Sequence, residues 1–384
     1  MRFSDFVTLQ RGFDLPKTAM REGPYPVIGS TSIIGRHDEF KVAPPGVTTG
    51  RSGSLGTVQY IAEKYWPHNT SLWVKDFKGN DPKFVYFCMQ GMDFARFNAG
   101  AGVPTLNRNH LDSLEVLIPP LPVQQRIASI LSAYDDLIEN SQRRIKILES
   151  MARALYREWF VHFRFPGYER QSPSPVGQIP RGWERSTFAQ AAIFENGDRG
   201  KNYPSGSDFI DQGIPFINAG HLADGAVNID AVDYISEEKF EQLRGGKIRK
   251  GDLLFCLRGS PGRTARTAGL FRAAIASSLV IIRPTERVNE SFLYFTLAGE
   301  IGNRMVIELN NGAAQPNVSV GSVQKYPLLL PPIDLLREFA TVIEPIWRQK
   351  ETHRAQLRCL SKQRDLLLPR LLSGQIDVEA LADA

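Results

Sequence analysis

A stretch of the chain occurs twice. LIPPLPVQQRIASILSAYDDLIENSQ, from Leu117, returns as LLLPPIDLLREFATVIEPIWRQKETH, from Leu328. At a constant offset of 212 positions, Leu117, Pro119 and Pro120 meet Leu329, Pro331 and Pro332, Ala128 meets Ala340, Leu148 meets Leu360, and Leu155 meets Leu367. An ungapped offset over roughly forty residues marks an internal duplication. Each copy opens with a double proline, which stops the preceding strand and lets a helix start.

In the first copy apolar or small residues recur in alternating steps of four and three, at Ile127, Leu131, Tyr134, Ile138, Ser141, Ile145, Leu148, Ala152, Leu155 and Trp159. That spacing is the seam of a coiled coil. At 1.5 Å per residue the helix would reach roughly 50–55 Å. The second copy keeps the register through Phe339, Ile343, Ile346, Leu357, Leu360 and Leu367, with Lys350, His353 and Arg364 interrupting the seam. Pro345 predicts a kink or a late start, since an interior proline costs about 3 kcal/mol. Ile127, Leu131, Tyr134, Ile138, Ile145, Leu148 and Leu155 are therefore expected to pack against Ile343, Ile346, Leu357, Leu360 and Leu367, antiparallel if the halves are related by a rough twofold.

The remainder falls into two mixed α/β segments. The first has short strands at Tyr25–Gly29, in Val42–Gly50, at Thr57–Ile61 and after Trp66, and a helix predicted from Phe84 to about Phe97. A Pro/Ser/Gly-rich run follows the first long helix and reads as a linker. Beyond it the first segment is loosely replayed. Phe3 and Gly12 return as Phe188 and Gly197, Pro26-Val-Ile28 as Pro215-Phe-Ile217, the Gly53-x-x-Gly56 turn as Gly259-x-x-Gly262, Ser71-Leu72 as Ser278-Leu279, and Pro104 as Pro316. The predicted order is a globular domain (1–118), a long helix (119–165), a linker (166–182), a second globular domain (183–330), and a second long helix with a tail (331–384). The expected class is a mixed α+β fold with an internal pseudo-twofold repeat and two long helices packed as an antiparallel coiled coil.

Motifs of catalysis are missing. There is no G-x-G-x-x-G after a strand and no G-x-x-x-x-G-K-[ST], so neither a dinucleotide nor a nucleoside-triphosphate cradle is signalled. His37, His68, His110, His162, His221 and His353 lack metal-ligand spacing. Glu237-x-Lys239 downstream of Asp224 is a weak nuclease-like signal, and such triplets are common on charged helices. Cys88, Cys256 and Cys359 are odd in number and far apart, which points to a reducing compartment without a disulfide frame or zinc site. No signal-peptide core or membrane-length apolar run is present. A cytoplasmic protein with no membrane partner, catalytic residue, metal or cofactor of its own is expected.

Charge distribution says more than the net +5. Between Leu243 and Arg283 nine Lys or Arg stand against one acid, Asp252. Within this stretch Arg258-Gly-Ser-Pro-Gly-Arg263-Thr-Ala-Arg266 parallels Arg51-Ser-Gly-Ser-Leu-Gly56 of the first half. Glycine lets backbone approach a phosphate, while arginine binds phosphate or the O6/N7 edge of guanine. The bland reading is that both are hairpin turns whose charges face water. The DNA-binding reading takes Arg51, Ser52, Ser54, Arg258, Ser260, Arg263, Thr264 and Arg266 from these loops. It adds His68, Asn69, Thr70, Asn218, His221, Ser277 and Ser278 from matching loops, and Arg199 and Lys201.

Several stretches together resemble the specificity subunit of type I restriction–modification systems. They are Leu117-Ile-Pro-Pro-Leu-Pro-Val-Gln-Gln-Arg-Ile-Ala128, Gly177-Gln-Ile-Pro-Arg-Gly-Trp183, Lys250-Gly-Asp-Leu-Leu254, and the C-terminal Arg364-Asp-Leu-Leu-Leu-Pro-Arg-Leu-Leu-Ser-Gly-Gln-Ile376. The resemblance covers essentially the whole chain. It implies two target recognition domains, each reading one half of a split double-stranded DNA sequence, with helices that set the spacing and dock modification (methyltransferase) subunits, two of them. Restriction subunits would join the assembled complex. S-adenosylmethionine, ATP and Mg2+ are then expected on the partner subunits and not on this chain. The first half begins at Met1 without a counterpart of Gly177–Trp183, so a shorter first strand is expected there. A self-contained nuclease and a coiled-coil scaffold without a DNA role are the rival readings.

Overall fold

A computed structural model describes residues 1–100, 102–170, 179–270, 272–310 and 316–378. The linker expected at 166–182 lies partly outside the described residues, as do positions 177 and 178 of the Gly177–Trp183 motif and the tail beyond 378. The chain forms two compact units, Met1–Arg143 with Arg354–Ala384, and Arg144–His353.

In the first unit β1 (Thr8–Arg11), β2 (Tyr25–Ile28), β3 (Ile33–His37), β4 (Gly46–Gly50), β5 (Val58–Ile61), β6 (Trp66–Pro67) and β7 (Ser71–Asp76) form two sheets. One has the order β1-β7-β4-β5 and is antiparallel throughout; the other has the order β3-β2-β6, with β2 parallel to β6. The helix expected from Phe84 to about Phe97 instead runs Pro82–Gln90, with a separate 3-10 turn at Phe94–Phe97. Its start is set by Asp81, whose side chain accepts from the Phe84 N–H, and by proline at the first helical position. Phe84, Val85, Phe87 and Met89 are buried among Phe3, Phe6, Leu72 and Val74.

The second unit repeats this plan with additions. Its strands are β8 (Glu184–Thr187), β9 (Ala192–Asn196), β10 (Phe209–Ile210), β11 (Ile214–Ile217), β12 (Leu222–Ala223), β13 (Ala226–Val227), β14 (Asp233–Ile235), β15 (Leu253–Cys256), β16 (Thr264–Arg266), β17 (Ala274–Ile275), β18 (Leu279–Pro284) and β19 (Pro327–Leu330). The order β9-β18-β15-β16 reproduces β1-β7-β4-β5, and β14-β11-β17 reproduces β3-β2-β6, again with the last pair parallel. The β12–β13 hairpin extends the large sheet beside β16, and β10 extends the small one. Gly12 and Gly197 occupy the same tight place. A Cβ on Gly12 would lie 2.1 Å from the His68 carbonyl oxygen, and one on Gly197 would lie 2.6 Å from that of Ile275. β8 and β19 pair over four residues, whereas the matching contact of the first unit is a single bridge, Arg2 to Glu115.

The first long helix runs Leu121–Tyr156 and ends in a widened turn, Arg157–Val161, that lets the adjacent Trp159 and Phe160 both reach the interior. The second runs Ile333–Leu372. It does not start late. Pro345 is exposed and the helix continues through it: Thr341, whose carbonyl it leaves without an N–H partner, is an exposed residue too, while Phe339, Ile343 and Trp347 are buried on the opposite side.

Within the second unit the helices run antiparallel: Glu149 pairs with Lys350, while Tyr156 and Trp159, further along, meet Phe339. Leu148 is buried, Ile145, Leu155 and Ile346 are half-buried, and Ile343 is fully buried. Within the first unit Ile127 and Leu131 share a core with Leu371 and Val378, and Leu367 packs against it. Ile138 is buried there, and Tyr134, Leu357 and Leu360 are half-buried. The charges interrupting the seam have partners. Lys350, 1% exposed, holds Glu149, and Arg364 donates to Asp135 over 2.8 Å.

Candidate nucleic-acid interface

Both units build one loop in the same way. In the first, the Arg51 N–H donates to the Thr70 carbonyl (2.8 Å), the Arg51 carbonyl accepts from the Leu106 N–H (2.8 Å), and the Gly53 N–H donates to the Pro104 carbonyl (2.9 Å). In the second, the Leu257 N–H donates to Ser278 (2.9 Å), the Leu257 carbonyl accepts from Val318 (2.9 Å), and the Gly259 N–H donates to Pro316 (3.4 Å). Glycines at positive φ, Gly53 and Gly56 in one and Gly259 and Gly262 in the other, close the turn where a β-carbon would be strained. The echo of Pro104 in Pro316 thus has a physical cause: each proline carbonyl pins its glycine loop. Backbone atoms hold the loops, which leaves their side chains to differ.

In the first unit Ser54 is exposed and Ser52 half-buried, with the Ser30 hydroxyl donating to the Ser52 carbonyl (2.7 Å). The Arg51 guanidinium donates to the Asn69 carbonyl (3.2 Å), joining the loop to residues 68–70. There His68 Nδ1 lies 2.9 Å from the Thr70 hydroxyl, and burial lowers the His68 pKa, which favours neutral imidazole. The Asn69 amide donates to Asp14, which also pairs with Arg11 at 2.8 Å. The Asn69 hydrogen bond, helped by the charge of Arg11, holds the Asp14 carboxyl below its usual pKa. Asp14 and Arg11 were not among the sequence candidates. Their place beside Gly12, whose counterpart Gly197 precedes Asp198 and Arg199, is the signal that marks them.

In the second unit Arg258, Ser260 and Arg263 are exposed on the loop, and Arg258 Nε donates to Asn317 Oδ1 (3.2 Å). Arg263 makes no ion pair among the described residues. Three candidates face inward. Thr264 is buried and donates to the Gly262 carbonyl (3.0 Å). His221 is buried and caps a short turn together with Asn218, whose Oδ1 accepts from the Gly220 N–H (2.8 Å). Arg266, whose side chain is 12% exposed, pairs with Glu290 and stacks 4.2 Å over the Trp347 ring. Ser277 and Ser278 are half-buried, while Arg199 and Lys201 are exposed on a turn following Asp198. The Asp198 carboxylate is held ionised chiefly by the Arg244 N–H and also by that of Arg199.

The basic stretch is partly neutralised, since four of its nine Lys and Arg, Lys247, Arg266, Arg272 and Arg283, make ion pairs among the described residues. Arg283 binds the fully buried Asp252 through two contacts of 2.7 and 2.9 Å and reaches Glu195 at 3.2 Å. Arg272 pairs with Glu237 and Glu241, and Lys247 with Glu241. This also accounts for the nuclease-like triplet: Glu237 is tied to Arg272, and Lys239 lies 3.1 Å from Asp208. Among the described residues no three His, Cys, Asp or Glu gather as a metal-binding group, and no helix is long and apolar enough to cross a membrane.

Comparison with known proteins gives a consistent picture. A family model described as the type I restriction modification DNA specificity domain matches residues 1–150. The type I restriction enzyme MjaIX specificity subunit of Methanocaldococcus jannaschii is 27% identical over 339 residues, covering 85% of this chain and 77% of that protein. The HindI specificity subunit of Haemophilus influenzae is 20% identical over 331 residues, covering 71% of each chain. A crystal structure of a type I S subunit from M. genitalium superposes with a TM-score of 0.65 at 18% identity, covering 97% of this chain and 95% of that one, so the fold is shared.

Proposed function

We infer that this chain, which belongs to the specificity subunits of type I restriction–modification systems, is the DNA-reading part of such an enzyme. Each globular domain reads one half of a bipartite target. One observation carries this reading: the same loop is tied twice by equivalent backbone bonds, yet bears different side chains, with Leu257, Arg258 and Arg263 standing where the first copy has Arg51, Ser52 and Thr57. A fixed frame with variable side chains is what two recognition surfaces for unlike sequences require.

In this reading the exposed arginines fix register on the phosphates, and polar side chains of neighbouring loops read base edges, each good pair contributing about 1–3 kcal/mol of discrimination. The long helices set the distance between half-sites and dock two modification subunits, through which restriction subunits join. The chain is not itself an enzyme. S-adenosylmethionine, ATP and Mg2+ act on the partners, and the complex works in the cytoplasm. Mapping methylated bases in DNA from cells that express the chain with its modification subunit tests the reading. A split motif with modified adenine on both strands is expected. A continuous motif, or none from an assembled complex, would contradict it.

A further inference from the structure

We propose that Asn69 reads an adenine in the first half-site and that Asp14 holds its amide in the one orientation able to do so. The inference rests on the DNA-reading role given above and adds a base identity to it. Asn69 follows β6, beside the tied loop of the first unit, and the Arg51 guanidinium grips its carbonyl oxygen. Its side-chain nitrogen donates to Asp14 Oδ1. A carboxylate has acceptors only, so the contact decides which end of the amide is nitrogen. Arg11, 2.8 Å from the same Asp14 oxygen, keeps that acceptor charged and in place.

With one N–H committed to Asp14, the amide keeps a second N–H and Oδ1 side by side. In the major groove adenine offers the matching pair, the N6 donor beside the N7 acceptor. Guanine offers two acceptors, cytosine a donor and thymine an acceptor, so none of them satisfies both groups. The ionised Asp14 next to this amide repels phosphate, which leaves a base edge as the group the spot admits. The second unit has no such pair at the matching positions. The bond from Leu257 to Ser278 matches that from Arg51 to Thr70, one position away from the Ser71 and Ser278 echo read in the sequence, and puts Ser277 where Asn69 stands. Asp198 there receives the backbone N–H groups of Arg199 and Arg244, and the amide that reaches it is that of Asn202, four residues along its own turn, not one from the position of Asn69.

The test is methylation by the full complex, read by methylated-base mapping and on duplexes substituted one base at a time through both half-sites. N69A is expected to lose discrimination at a single adenine of the first half-site by roughly 10- to 100-fold. The other positions of that half and the whole second half should be unchanged. D14N replaces the acceptor-only partner with an amide that can also donate, and it is expected to relax the same adenine to a lesser degree. If N69A abolishes methylation altogether, D14N carries the test by itself. Relaxation spread evenly over the first half-site, relaxation at another base, or an unchanged motif overturns the inference and leaves the bipartite reading standing. A wild-type complex without a split motif overturns both.

Discussion

Arg263 and Arg266 stand three residues apart and meet different surroundings. Arg263 is exposed at the end of the tied loop, whereas Arg266 turns inward to Glu290 and the Trp347 ring. Arg263→Ala should weaken DNA binding by the assembled complex and reduce the slope of log affinity against log salt by about 1, the signature of one lost phosphate contact. Arg266→Ala should leave that slope unchanged and lower stability by about 2 kcal/mol through loss of a desolvated cation–π contact and a charged hydrogen bond. Salt titrations and urea unfolding of both variants separate the two. An unaltered slope for Arg263→Ala would remove it from the interface. Sequence could not tell these arginines apart. The acids that pair with Arg266, Lys247, Arg272 and Arg283, namely Glu290, Glu241, Glu237 and Glu195, lie outside the basic stretch, so counting charge along the chain overstated how much of it is unpaired.

Among the elements, the long helices were the most legible, since a period of four and three over ten positions leaves few alternatives. What the pattern could not supply was the reason for polar residues on the seam. Lys350 is buried against Glu149, which is also bound by Arg153 at 2.9 Å and by the Tyr294 hydroxyl at 3.2 Å. Lys350 also lies 4.9 Å over the Trp347 ring. Lys350→Met leaves Glu149 with Arg153 and Tyr294, so it should cost clearly less than a broken buried ion pair, about 3–5 kcal/mol. Equilibrium unfolding in urea measures the loss, and a loss in that full range would mean that the carboxylate depends on Lys350 alone. Pro345 marks the opposite lesson: its penalty as an interior proline assumed a carbonyl with no alternative partner, and here water is available.

At the scale of the molecule, the duplication was visible because framework residues such as Gly12 and Gly197, or Pro104 and Pro316, meet the same backbone in both copies. The additions of the second copy, β10 and the β12–β13 hairpin, were not, because short strands carry little periodicity. Nor does chain order give the compact units, since Arg354–Ala384 belongs with Met1–Arg143. That a C-terminal segment folds with the N-terminal one has no signature in a linear sequence.

The central claim is that one domain reads one half-site. The antiparallel pair of β8 and β19 brackets the second domain, which makes residues 183–330 a segment that can be exchanged for its counterpart in another specificity subunit. The most direct measurement is methylated-base mapping with that chimera beside the parent chain. The account predicts that one half of the motif changes, while the other half and the spacer stay as they were. A chimera that alters both halves, or neither while still methylating DNA, would contradict it.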